Sequence, residues 1–142
     1  MKTIISGTFI SLFILLSSFS PVTIEEDAPA SEKVSLLVKM VNDADKQDWN
    51  VLNKAAQFCI NWNADLELAK EWIDKSIAIS DNPQAYEVLG DYHLRKGDIY
   101  KAYENYAIAL EKGMFTLSKT ELESIQRKNL VFGRKILAEA KK

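Results

Sequence analysis

Residues 84–113 read QAYEVLGDYHLRKGDIYKAYENYAIALEKG, and the rest of the chain can be worked out from this stretch. On one side of Lys96-Gly97-Asp98, Tyr86, Leu89, Gly90 and His93 fall at i, i+3, i+4, i+7; on the other, Ala102, Tyr106 and Ala109 fall at i, i+4, i+7. The spacing predicts two amphipathic helices joined by a tight turn. Gly90 and Ala102 are small among large neighbours, so the two axes are expected to come close, with Tyr106 filling the space beside them. Such a hairpin leaves apolar surface that only stacked neighbours can cover.

The same pattern occurs earlier in the chain. Leu52, Ala55, Ala56 and Cys59 each stand 34 residues before Tyr86, Leu89, Gly90 and His93. Asp48 is the expected N-cap of the helix Trp49 to Asn61. A following helix, Leu66 to Ser80, would turn Ala69, Ile73, Ser76 and Ile77 inward. Ala69 precedes Ala102 by 33 residues, so the turn Asn61-Trp62-Asn63-Ala64-Asp65 carries one residue more than its later counterpart. Asn82-Pro83 stops one helix and opens the next.

The order aromatic, Leu-Gly, aromatic, then an Ala-Tyr-Ala stripe after a Lys-Gly-Asp turn, resembles the tetratricopeptide repeat. The resemblance implies an all-α, right-handed stack of antiparallel helix pairs, five to six helices in all, with repeats at about 49–82 and 83–116. It also implies a binding scaffold without catalysis, whose partner is a protein or peptide. In that family the first helix of each repeat lines a concave groove. Carried over by position, the groove residues are Asn50, Asn53, Gln57 and Asn61, then Gln84, Glu87, Asp91 and Arg95. Amides suit the backbone of an extended peptide. The basic and Asn residues with which some relatives hold a C-terminal carboxylate are not matched, and Glu87 and Asp91 would repel one. The bland alternative is a solvated polar face.

A second resemblance rests on Trp49-Asn50, Leu52-Asn53-Lys54-Ala55-Ala56 and Ala69-Lys70-Glu71-Trp72-Ile73-Asp74-Lys75-Ser76-Ile77. These words are similar to the helical tail of some exported bacterial proteins of unknown function, over about residues 48–142. Those relatives carry a β-rich domain before the tail. This chain has no room for one before Ser31, so no activity of such a domain carries over.

The flanks complete the expected domain, 31–142. Lys2 followed by the apolar run Ile4 to Leu16 has the layout of a secretory signal, here 1–20, with a linker over 21–30. Ser18-Phe19-Ser20 and Ala28-Pro29-Ala30 are alternative ends for it. The chain is thus expected to be exported, periplasmic or secreted; the alternative is an uncleaved anchor, for which Ile4 to Phe19 is short. Val34, Leu37, Val38 and Val41 share a face of a helix from about Glu32 to Asp45, either a degenerate half-repeat or a plain cap. At the other end Ser118 and Glu121 form a capping box, with Leu117 and Leu122 as staple. A terminal helix is expected over 118–140, with Leu122, Ile125, Leu130, Phe132 and Leu137 on its apolar face and basic residues in its later half.

Composition excludes several classes of function. The 142 residues are 47% hydrophobic and 27% charged with a net charge of −2, which fits one ordinary domain and gives no electrostatic case for nucleic acid. One Cys and one His exclude an internal disulfide and a zinc site of usual composition. No phosphate loop, nucleophile elbow or dinucleotide fingerprint is present, and no cofactor or metal is expected. Cys59 and His93 occupy equivalent repeat positions on the packing face, where a substrate does not reach, so neither is assigned a catalytic role. Since stacks of this type usually need about three repeats, self-association into a homo-oligomer is the competing function.

Overall fold

Five of the six helix starts are fixed by a side chain written into the sequence. In the computed structural model, which describes residues 30–141, the helices are α1 (Ala30–Asp43), α2 (Trp49–Asn61), α3 (Leu66–Ile79), α4 (Pro83–Arg95), α5 (Ile99–Gly113) and α6 (Lys119–Glu139). Asp48, Asp65, Asn82, Asp98 and Ser118 each accept a backbone N–H of the following first turn. Each such cap is worth about 1 kcal/mol. The Ser118–Glu121 capping box is complete. The fold is all-helical among the described residues. The expected signal or anchor at 1–20, and the linker up to residue 29, lie outside them. No described helix is long and apolar enough to cross a membrane.

The 34-residue echo extends to the backbone. Trp62, Asn63 and Ala64 donate to the carbonyls of Phe58, Ile60 and Cys59; Lys96, Gly97 and Asp98, each 34 residues later, donate to Tyr92, Leu94 and His93. Asn63 and Gly97 both adopt left-handed φ, at 49° and 83°. Asn tolerates that region and Gly enters it freely, so both can end a helix here. The extra residue of the first turn is present: four residues separate α2 from α3 and three separate α4 from α5.

The helices pack in chain order, α1 on α2, α2 on α3, α4 on both α2 and α3, α5 on α4, and α6 on α5. Two cores result. The first draws Leu37, Leu52, Ala55, Ala56, Cys59, Ile60, Ala69, Trp72 and Ile73 together with Val88 and Tyr92 of α4. The second consists of Ala102, Tyr106, Ala109 and Ile125, with Tyr86, Leu94, Leu110, Leu117 and Phe132 against them. Full burial of a residue such as Ile73 contributes about 1.5–3 kcal/mol. Gly90 allows α4 and α5 to meet: a Cβ there would lie 2.5 Å from the Tyr106 ring.

Several expected inward positions need revision. Helix α4 is enclosed on two sides and also buries Ala85, Val88 and Tyr92, whereas Tyr86, Leu89 and His93 are half-buried. Trp72 is buried in α3 beside Ala69, Ile73 and Ser76, while Ile77 is half-buried. On α1 Leu37 is buried, with Val38 and Val41 packed partly behind it. Leu117 folds back over Gly113. On α6 Ile125 is buried and Leu122 and Phe132 are half-buried, but Leu130 and Leu137 face outward. The terminal helix is too lightly covered for a single apolar stripe to find a partner along its whole length.

Candidate binding groove

The two expected stripes differ in the structure. On α2, Asn50 and Asn61 are exposed and Gln57 is half-buried, its Nε2 donating to Asn61 Oδ1 at 3.1 Å. Asn53 does not belong with them. It is 4% exposed and donates to Asn82 Oδ1 at 2.9 Å. Asn53 starts the contact surface that α2 turns toward the start of α4, so an amide there joins helices and does not greet a ligand. Asn82 itself accepts from Ala85 N–H at 2.7 Å and donates to Ser80 O and Ser76 Oγ, and Ser76 Oγ donates to Trp49 O. This buried chain of polar groups ties α2, α3 and α4 at one end of the stack.

On α4 the stripe is already engaged. Gln84 is half-buried at the start of α4 near Glu121, whose carboxyl is held below its usual range first by its hydrogen bonds with Ser118. The Arg95 guanidinium donates to Asn61 O at 3.4 Å, joining positions 34 residues apart. Glu87 and Asp91 both receive Lys128 of α6: Nζ lies 2.8 Å from Glu87 Oε1 and 2.9 Å from both oxygens of Asp91. The Tyr106 hydroxyl donates to Asp91 Oδ1 at 2.6 Å, and Lys128 Nζ stands 5.5 Å from the centre of the Tyr106 ring. Burial and the neighbouring Asp91 push the Tyr106 phenol well above its ordinary range. Burial works against the charge of Lys128, but Asp91 and Glu87 outweigh it and hold its pKa high.

Sequence reasoning set the basic residues of the terminal helix, Lys128 among them, only against the helix dipole, and missed this role. The signal was present. Glu87 and Asp91 stand four apart on one face of a packed helix, where two like charges need a cation. The next helix in the stack is the one that supplies it.

Beside this cluster lies a hollow of about 390 Å³ lined by Asp91, Leu94, Tyr106, Ser124, Arg127, Lys128, Val131 and Phe132. Its walls are largely apolar, with Arg127 and Ser124 at hand. Reactive groups are placed differently. Cys59 is fully buried, and burial pushes its thiol pKa up, away from thiolate. His93 packs edge-on to Tyr92 at 5.2 Å, and burial lowers its pKa, which favours the neutral ring. Among the described residues no three His, Cys, Asp or Glu side chains gather as a metal site.

Comparison with protein-family models, with curated proteins and with solved structures finds no match to this chain. The class that the structure defines is an all-helical stack, six helices among the described residues, whose two inter-helix turns after α2 and α4 repeat one hydrogen-bond pattern.

Proposed function

We propose that this chain is a non-catalytic scaffold of tetratricopeptide type, exported behind its Lys2 and Ile4 to Leu16 leader, which binds an extended segment of another protein. The observation that carries the reading is the hollow at Asp91, Leu94, Val131 and Phe132, which adjoins the groove stripe at Asp91. An apolar side chain of the partner enters that hollow. The α2 amides Asn50, Gln57 and Asn61 meet its backbone. Because Lys128 already pairs with Glu87 and Asp91 and offsets one of their two charges, the groove selects for shape and backbone more than for a basic ligand.

The test is selection from a display library of short unstructured peptides, followed by titration of the enriched sequences. Enriched peptides are expected to share one large apolar residue. Binding should drop for Val131→Asp and for the Asn50→Ala/Gln57→Ala pair, with the helical circular dichroism unchanged. Peptides that bind both variants as tightly as the parent would discard the groove.

A further inference from the structure

The two ends of the stack are finished differently. At the α1 end the outward positions Glu32, Ser35, Lys39, Asn42 and Asp43 are all exposed and polar, as a terminal cap requires. At the α6 end Leu130 and Leu137 lie one above the other on the outward face, 51% and 63% exposed. Helix α6 covers α5 with one side and leaves this stripe open. Beside Leu137 is a second hollow, about 330 Å³, formed by Tyr100, Tyr103, Glu104, Gly133, Ile136 and Leu137. Gly133 lies close over the Tyr103 ring, and its lack of a side chain keeps the middle of this face low.

Knob and hole on this surface match each other. Leu130 is the projecting apolar residue, and Arg127 and Arg134 flank it at i−3 and i+4, both exposed. The hollow is apolar with Glu104 on its wall. A knob flanked by cations and a hole edged by the Glu104 carboxylate on one surface give the complementarity of an isologous contact. A two-fold axis crossing α6 near Gly133 makes the helices antiparallel and brings Leu130 of each copy to the hollow beside Leu137 of the other. The same operation carries Arg134 toward Glu104 of the opposite copy. The polar α1 end offers no such match, so a head-to-tail filament is disfavoured. We infer that the α6 face is a homodimer interface, in which two copies of this chain pack α6 against α6.

This inference does not depend on peptide binding, because the groove lies on the opposite flank of α6. Sedimentation of the purified full chain is expected to show a dimer. Leu130→Glu and Leu137→Glu should each weaken association by about tenfold or more while leaving the helical signal intact, since both side chains are mostly exposed. Glu104→Arg should weaken it as well, and Glu104→Arg combined with Arg134→Glu should restore it. A monomer at every accessible concentration overturns the inference, as does a dimer indifferent to Leu130→Glu, which would place the contact elsewhere. Sedimentation with phosphatidylglycerol vesicles that is lost in the same variants, from a protein that is monomeric in solution, also overturns it and makes the face a lipid contact.

Discussion

The two cores share a backbone period and differ in what fills it. Around α2 and α3 the interior is mostly aliphatic, with Trp72 and Tyr92 among Leu37, Ile60 and Ile73, and its buried polar groups, Ser76, Asn82 and Asn53, bond one another. Around α5 the interior is Tyr106 between two alanines and Ile125, and the phenol reaches out to Asp91 and Lys128. The turn after α2 and the turn after α4 carry the same hydrogen bonds. The period therefore sets how helices are connected, while the side chains decide whether a pair is held by apolar area or by a charge cluster. The apolar half provides stability; the charged half adjoins both the hollow beside Lys128 and the exposed end.

The largest expected effect tests that division directly. Ile73→Ala should cost about 4 kcal/mol, near the top of the range for a buried Ile, because the site is enclosed on all sides. Ile125→Ala should cost about 2 kcal/mol, since neighbours beside the hollow can collapse into the space. Equal costs in denaturant melts would erase the contrast. Gly90→Ala comes next. Its Cβ would press on a Tyr106 ring held at its far end by Asp91, which is overpacking worth about 2 kcal/mol. Tyr106→Leu in the same chain should recover part of that loss by removing the ring.

Asn82→Ala sharpens the same comparison at smaller scale. Asp48 and Asn82 are equivalent N-caps, one exposed-facing and one buried. Asp48→Ala should cost about 1 kcal/mol, the ordinary value of a cap. Asn82→Ala should cost about 2 kcal/mol, because it also strips Asn53 and Ser76 of a buried partner. Thermal melts of the two variants at matched concentration measure the difference.

How much of this could be read from the sequence depends on the range of the interaction. Helix α2 was readable to its end residues, because Asp48 and the spacing of Leu52, Ala55, Ala56 and Cys59 are local signals. So was the Ser118–Glu121 box. Asn53 was misplaced because a stripe at i, i+3, i+7 says which residues share a face, and not whether a later helix start, Asn82, will lie against one of them. Trp72, Val88 and Tyr92 were missed because α3 and α4 each pack on two sides, and a single-face template counts only one. Glu87 and Asp91 signalled the need for a cation, but not that Lys128 would be the one to supply it: its partners lie 37 and 41 residues away on another helix. What a residue does across the stack is set by which helix comes next to it, and that is a property of the assembled fold.

The smallest expected effect is the response to pH, and its sign differs between the two regions. Lys128 and Tyr106 both hold their protons more tightly when folded than the ordinary values of about 10.4 and 10. Their contribution is therefore fully present below about pH 10 and is lost as pH rises beyond it, when the unfolded chain gives up protons that the folded one retains. His93 runs the other way. Burial depresses its pKa, with Asp98 opposing, so its contribution is present above about pH 6.5 and falls away as the pH drops through the folded value. The stability profile should be flat from about pH 7 to about 8.5, where the buried Cys59 thiol begins an alkaline loss, with a limb above about pH 10 that Tyr106→Phe flattens and an acid limb that His93→Phe makes shallower. The acid change should be the lesser, because His93 is only half-buried and a nearby carboxylate already offsets the cost of charging it. An alkaline limb unchanged in Tyr106→Phe would mean that the cluster around α5 is no more sensitive to protons than the apolar core beside it.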